Sequence, residues 1–218
     1  MIKAVIFDFD GLIVDTETLW YEVYSEVFRE EGGELPLEEW AKVIGTTFEV
    51  YDPFSYLSSQ LGREVDRALI QARTSERYQQ RIRSLAVRPG VEDYLKAAQS
   101  LGLRIGLSSS STRDWVESYL KPFGLLDYFE ALSTKEDVKQ VKPEPDLYLR
   151  TMKLLDVEAS EIVVFEDSLN GLKAALAAKM CCVVVPNQVT KQLTFTGANL
   201  LLESMADMSL EDVLRRIS

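Results

Sequence analysis

From residue 87 to its end the chain alternates between short strand-like runs and helix-periodic stretches, and this alternation restricts the fold more than any other feature. Apolar, β-branched runs at residues 104–107, 128–133, 162–165 and 182–185 are separated by helical patterns at 91–101, 112–120, 145–155, 168–179 and 210–217. Strands alternating with helices pair in parallel, and a parallel sheet needs helices over both of its faces.

A further buried-type strand, Ala4-Val5-Ile6-Phe7, stands at the start and belongs to the same sheet. Between it and residue 87 no strand pattern occurs. Residues 16–31 place Leu19, Trp20, Val23, Val27 and Phe28 on one helical face and stop at Gly32-Gly33, and helical patterns follow at 37–44, 54–61 and 64–85. The expected architecture is α/β: a Rossmann-like parallel-sheet core made of residues 1–15 and 87–218, with a small all-helical cap, 16–86, inserted after the first strand. Thr16 and Ala86-Val87-Arg88-Pro89 are the expected hinges.

Composition removes several classes of function. At 218 residues and 46% hydrophobic the chain can bury a core, while a formal charge of −11 repels nucleic-acid phosphates with no basic run to offset it. No apolar stretch has bilayer length and Met1-Ile2-Lys3-Ala4 runs into a strand without a signal-peptide pattern, so a cytoplasmic protein with no membrane partner is expected, monomeric by default. Cys181 and Cys182 are neighbours in an apolar strand and project to opposite faces, which speaks against a disulfide framework or a thiolate metal site. There is no histidine. Ser-His and Cys-His nucleophile systems and histidine metal ligation are thereby excluded, leaving carboxylates, lysines, hydroxyls and a metal.

Four strand ends carry groups suited to that chemistry. Asp8 and Asp10 leave the first strand at i and i+2 into a turn at Gly11, at the carboxyl edge where open parallel sheets bind ligands. Two carboxylates so close need a cation or a shared proton, although an isolated D-x-D is also an ordinary turn. Ser108-Ser109-Ser110-Ser111 precedes Thr112, a candidate helix cap, and its hydroxyls and amides suit a phosphoryl oxygen. Lys142-Pro143-Glu144-Pro145 stiffens the chain around one lysine, and Glu166-Asp167 ends an apolar strand before a cap candidate, Ser168. Each has a bland reading alone. Four acids converging in one crevice would repel strongly without a divalent cation, and oxygen ligands without histidine point to Mg²⁺.

Asp8-Phe9-Asp10-Gly11-Leu12-Ile13-Val14-Asp15-Thr16, Ser109, Lys142-Pro143 and Glu166-Asp167 resemble, in order, the four motifs of the haloacid dehalogenase superfamily. The placement of the helical insertion is similar to the β-phosphoglucomutase-like and phosphoglycolate phosphatase-like branch. This resemblance implies that Asp8 is the nucleophile, Asp10 the acid/base, and Ser109 and Lys142 the groups that stabilise phosphate and nucleophile. It also implies Mg²⁺ held by Asp8, the Asp10 carbonyl and Asp167, with Glu166 supporting the metal site. Gly11, Thr16 and Ser110, with Trp20, Phe48 and Glu49 of the cap, are candidate substrate contacts. Arg73 and Arg77 either reach an anionic leaving group or face water.

Within the superfamily the dehalogenases lack an acid at the Asp10 position, so the chain resembles a phosphotransferase or phosphatase. Phosphonate-cleaving members use a cap lysine, and residues 16–86 contain just Lys42. β-Phosphoglucomutases carry a cap histidine and a cap arginine where this chain has Trp20 and Phe48. The expectation is a Mg²⁺-dependent phosphatase with Asp8 ionised at neutral pH, acting through an aspartyl phosphate on a small sugar phosphate or organic acid phosphate. A phosphosugar mutase and a catalytically idle binding protein on the same fold remain the alternatives.

Overall fold

A computed structural model describes residues 1–82 and 85–217. Six strands, β1 (Ala4–Phe7), β2 (Arg104–Ser108), β3 (Ala131–Ser133), β4 (Ile162–Glu166), β5 (Cys181–Val184) and β6 (Leu200–Leu201), form one sheet in the order β3-β2-β1-β4-β5-β6. Every pairing is parallel. β1 lies between β2 and β4, so the strand order reverses direction beside it, and the loops above its carboxyl end splay apart into a crevice.

Between β1 and β2 the chain is helical: α1 (Thr16–Glu30), α2 (Leu37–Trp40), α3 (Pro53–Leu61), α4 (Arg67–Arg81) and α5 (Val91–Ser100). Later strands alternate with α6 (Arg113–Leu120), α7 (Asp146–Leu154), α8 (Leu169–Ala177) and α9 (Leu210–Ile217). Side chains alternate across each strand, so Val5, Phe7, Ile105, Leu107, Val163 and Phe165 pack under α5, α6 and α9. Ala4, Ile6, Ile162 and Val164 pack on the other face against Tyr148 of α7 and Leu172 of α8. Cys181 and Cys182 are free thiols divided between these two clusters, as adjacent strand positions must be.

The first helices enclose an apolar cluster of their own, with Tyr24, Phe28, Trp40, Phe54, Leu57 and Ile70 at its centre. Carboxylates at their starts fix them. Asp15 accepts from Thr18 N (3.1 Å), Asp52 from Phe54 N (3.0 Å) and Asp66 from Leu69 N (3.0 Å). The cap at Asp66 moves the start of α4 to Arg67 from the expected 64, and residues 83 and 84 of the expected 64–85 helix lie outside the described residues.

The helix expected at 37–44 stops at Trp40, because i→i+3 bonds from Lys42 N to Glu39 O (3.3 Å) and from Val43 N to Trp40 O (3.0 Å) tighten its last turn. The released segment docks on the core instead. Asn170 Nδ2 donates to Ile44 O (2.9 Å) and Ser110 Oγ to Gly45 O (3.0 Å). Gly45 has φ +76°, and a Cβ there would stand 2.2 Å from Ser168 Oγ.

The expected 128–133 strand shortens to β3, since residues 126–128 form a single 3₁₀ turn, and β6 is an added two-residue edge. Among the described residues no helix is long and apolar enough to cross a membrane.

Leu107 is fully buried at the sheet centre whereas Asp66 caps a surface helix. In urea denaturation Leu107→Ala is expected to cost about 2–5 kcal/mol, and Asp66→Ala about 1 kcal/mol. Comparable losses would contradict this division between core packing and local capping.

Candidate active site

Strand register builds the site. Phe7 lies opposite Leu107 on one side and Phe165 on the other, so Asp8, Ser108 and Glu166 leave the sheet at one height. Asp8 N still donates to Phe165 O at 3.0 Å, which holds the Asp8 backbone against β4.

Lys142 reaches this edge from the loop before α7 and is fully buried. Its ammonium donates to Asp8 Oδ1 (2.5 Å), Glu166 Oε1 (2.7 Å) and Ser108 O (2.8 Å), which uses all three of its protons. The Tyr148 hydroxyl also donates to Glu166 Oε1, and the other Glu166 oxygen accepts from Asp167 N (3.1 Å) and Ser168 Oγ (3.2 Å). Glu166 is therefore satisfied within the protein and acts as the counter-ion that holds Lys142 beside Asp8.

Burial works against charge on Lys142, but Asp8 and Glu166 outweigh it and hold the ammonium above its ordinary range. For Asp8, burial and then Glu166 raise the carboxyl to about 7 against the opposing pull of Lys142. The expectation of an Asp8 fully ionised at neutral pH thus needs further positive charge. Burial, then Asp8 and Glu166, push Asp167 well above the usual carboxylate range.

A divalent cation fits here. Carboxylate oxygens of Asp8, Glu166 and Asp167 lie within 4.8 Å of one another, and Asp167 Oδ1 is buried with no hydrogen-bond partner. An orphaned carboxylate oxygen in an all-oxygen group suits a hard cation. The Asp10 side chain stands outside this group.

Asp10 faces hydroxyl and indole donors instead. Thr16 Oγ1 (2.9 Å) and Trp115 Nε1 (2.8 Å) donate to its Oδ1, and Ser111 Oγ (2.6 Å) and Ser109 Oγ (3.3 Å) to its Oδ2. Two carboxylates two residues apart therefore have different environments: Asp8 with an ammonium and acids, Asp10 with neutral donors.

Beyond Asp10 a cavity of about 360 Å³ opens between the helical segment and the sheet edge, walled by Glu17, Trp20, Trp40, Phe48 and Trp115. Trp20 stacks on Tyr78 with ring centroids 3.8 Å apart, while Phe48 packs edge-on against Tyr24. The Trp40 indole N–H and the Thr46 and Thr47 hydroxyls border it as buried groups without partners. Burial and then Asp10, Asp8 and Asp15 raise Glu17 well above the usual carboxylate range.

Of the substrate contacts expected from sequence, Trp20 and Phe48 line this cavity with Ser110, Thr16 lies on Asp10, and Gly11 lies against Asp167. Glu49 is exposed and pairs with Lys135 at 3.1 Å. Arg73 binds Glu30 and Glu31, and Arg77 binds Glu30 (2.8 Å), so both stitch α4 to α1. Sequence reasoning missed Glu17, Ser111, Trp115 and Asn187. Ser111 stood in the serine run and Asn187 follows an apolar strand at its carboxyl end, but Glu17 and Trp115 look like ordinary first-turn helix residues.

Residues 5–185 match the family model described as haloacid dehalogenase-like hydrolase. The chain is 50% identical over 218 residues to "Putative phosphatase YhcW" of Bacillus subtilis, covering 100% of this chain and 99% of that one. It is 29% identical to hexitol phosphatase B of Escherichia coli O157:H7, covering 98% and 97%. A crystal structure of CbbY from Rhodobacter sphaeroides, a mutant in complex with xylulose-(1,5)bisphosphate, is similar with a TM-score of 0.75 at 29% identity, covering 97% and 98%.

A cation entering the acid cluster must displace the proton that Asp8 holds below about 7. Calorimetric Mg²⁺ affinity is expected to weaken as pH falls through that value, with protons released on binding. Affinity unchanged between about pH 6 and 8 would contradict the competition.

Proposed function

We propose, from the premise that the chain belongs to the haloacid dehalogenase-like hydrolase family, that it is a Mg²⁺-dependent phosphatase acting on a small phosphorylated sugar or polyol through a phosphorylated Asp8. The observation that carries this reading is the division of labour between the paired acids. Asp8 is aligned by a buried ammonium, whereas Asp10 is surrounded by neutral donors and borders the cavity.

In the first displacement an Asp8 carboxylate oxygen forms a bond to phosphorus as the ester P–O bond breaks, and Asp10 gives its proton to the departing alcohol oxygen. In the second, Asp10 takes a proton from water as the water oxygen bonds to phosphorus and the acyl P–O bond breaks, which restores Asp8 and releases phosphate. Lys142 offsets the repulsion between the Asp8 anion and the incoming phosphoryl group, and Ser109 with neighbouring amides is placed for its oxygens. Asp8, Asp167 and the Asp10 carbonyl would hold Mg²⁺, with Glu166 behind them. When bound, the ion supplies positive charge against the phosphoryl oxygens.

We assign residues 16–86 to a cap and 1–15 with 87–218 to the catalytic core, supported by the apolar cluster of the first helices, which Val189 and Leu193 join from the core side. The positions that carry a histidine and an arginine in β-phosphoglucomutases are aromatic here and line the cavity, which favours release of phosphate over its return to a second position.

Among the described residues Lys135 is the one cation lining the cavity, and it is paired with Glu49. The carboxyls of Asp10 and Glu17 line it without a cation beside them, and Trp40, Thr46 and Thr47 offer unpaired polar atoms. These walls favour an uncharged, hydroxylated leaving group over an organic acid or a second phosphate.

Asp10→Asn is expected to lower turnover by about 10²–10⁴ with an unchanged circular dichroism spectrum; normal turnover would remove Asp10 from the mechanism. A panel of hexose and hexitol monophosphates beside bisphosphates, scored for free phosphate and for isomerised product, tests the rest. Free phosphate from the monophosphates is expected. Isomerisation without release would establish the mutase, and a preference for bisphosphates would refute the uncharged leaving group.

A further inference from the structure

The turn after β5 carries a side chain whose orientation the structure fixes from both ends. Asn187 is 4% exposed, and one end of its amide faces three donors: Val189 N (3.0 Å), Thr190 N (3.1 Å) and Thr190 Oγ1 (3.2 Å). Only an oxygen satisfies three donors, so the amide cannot be flipped. Its nitrogen must then point the other way, where Nδ2 donates to Asp167 Oδ2 at 2.6 Å and reaches Gly11 O at 3.5 Å.

That bond occupies one Asp167 oxygen and leaves the other, Oδ1, as the buried atom without a partner. The backbone of the Asp8 loop closes over the pair. Gly11 has φ +79°, and a Cβ there would lie 2.2 Å from Asp167 Oδ2 and 2.6 Å from Asn187 Nδ2. The turn is also anchored from outside, since Val189 is buried in the apolar cluster of the first helices and Leu193 packs against it.

We propose that Asn187 is a positioning residue for the cation site: by holding Asp167 Oδ2 it presents Oδ1 to a divalent cation and so sets the affinity of the acid cluster for that ion. The proposal rests on the reading of Asp167 as a metal ligand. An outer partner of this kind typically changes metal affinity by about 10–100-fold when removed.

The test is calorimetric titration of MgCl₂ into the metal-free protein, with thermal unfolding in the absence and presence of Mg²⁺ as a second readout. Asn187→Leu removes the amide at similar volume, and Leu193→Ala loosens the outer anchor of the same turn while keeping the amide and its donors. Asn187→Leu is expected to bind Mg²⁺ about 10–100-fold more weakly and to lose most of the thermal shift that Mg²⁺ gives the wild type, with Leu193→Ala close to wild type. Asn187→Ala carries the same comparison if the leucine variant does not fold.

Wild-type affinity in the Asn187 variant, or an equal loss in Leu193→Ala, would overturn the proposal. If wild type binds no Mg²⁺, or Asp167→Asn binds it as well as wild type, the metal-site reading itself fails.

Discussion

The ammonium of Lys142, buried between Asp8 and Glu166, is the contact around which the remaining structure is arranged. A buried ion pair is a poor source of stability, because desolvation consumes most of the Coulombic gain. Its retention in the centre of a sheet edge makes sense as alignment. It delivers positive charge to Asp8 Oδ1 and leaves the other oxygen of that carboxyl uncontacted by the lysine. Everything that satisfies Glu166, from the Tyr148 hydroxyl to the amides at the start of α8, keeps that lysine from moving.

The same constraint explains why the helical segment docks as it does. Ser108, Ser109, Ser110 and Ser111 come from one strand end and its turn, yet they serve three ends. Ser108 O takes a Lys142 proton, Ser109 and Ser111 donate to Asp10, and Ser110 grips Gly45. One loop thus ties Lys142, Asp10 and the first helices together, and Trp115 at the start of the next helix bonds Asp10 while packing against Trp20 and Tyr78. The cavity lined by Asp10, Trp20 and Trp115 is formed where these contacts meet.

Much of this was legible in the chain. The parallel sheet followed from runs such as Ile162-Val163-Val164-Phe165 set between helical patterns, because strand and helix periodicities are local properties. Thr112 and Ser168 were readable as helix caps for the same reason, and both cap their helices. The early end of α2 was not readable, since the docking of Ile44 and Gly45 on a distant segment decides it. Arg73 and Arg77 were equally ambiguous until α1 lay beside α4 and supplied Glu30.

Which groups stand at the carboxyl ends of the strands was readable along the chain: Asp8 and Asp10, the serines, and Glu166 with Asp167. The absence of histidine excluded its chemistry in the same way. How those groups are paired came from the folded arrangement. Lys142 meets Asp8 across a separation of 134 residues, and Trp115 meets Asp10 across 105. Such pairings depend on strand order and loop path, which local periodicity does not encode. Burial then raises Asp8 and Asp167 above the usual carboxylate range, because desolvation acts on a carboxyl only once the whole fold has closed around it.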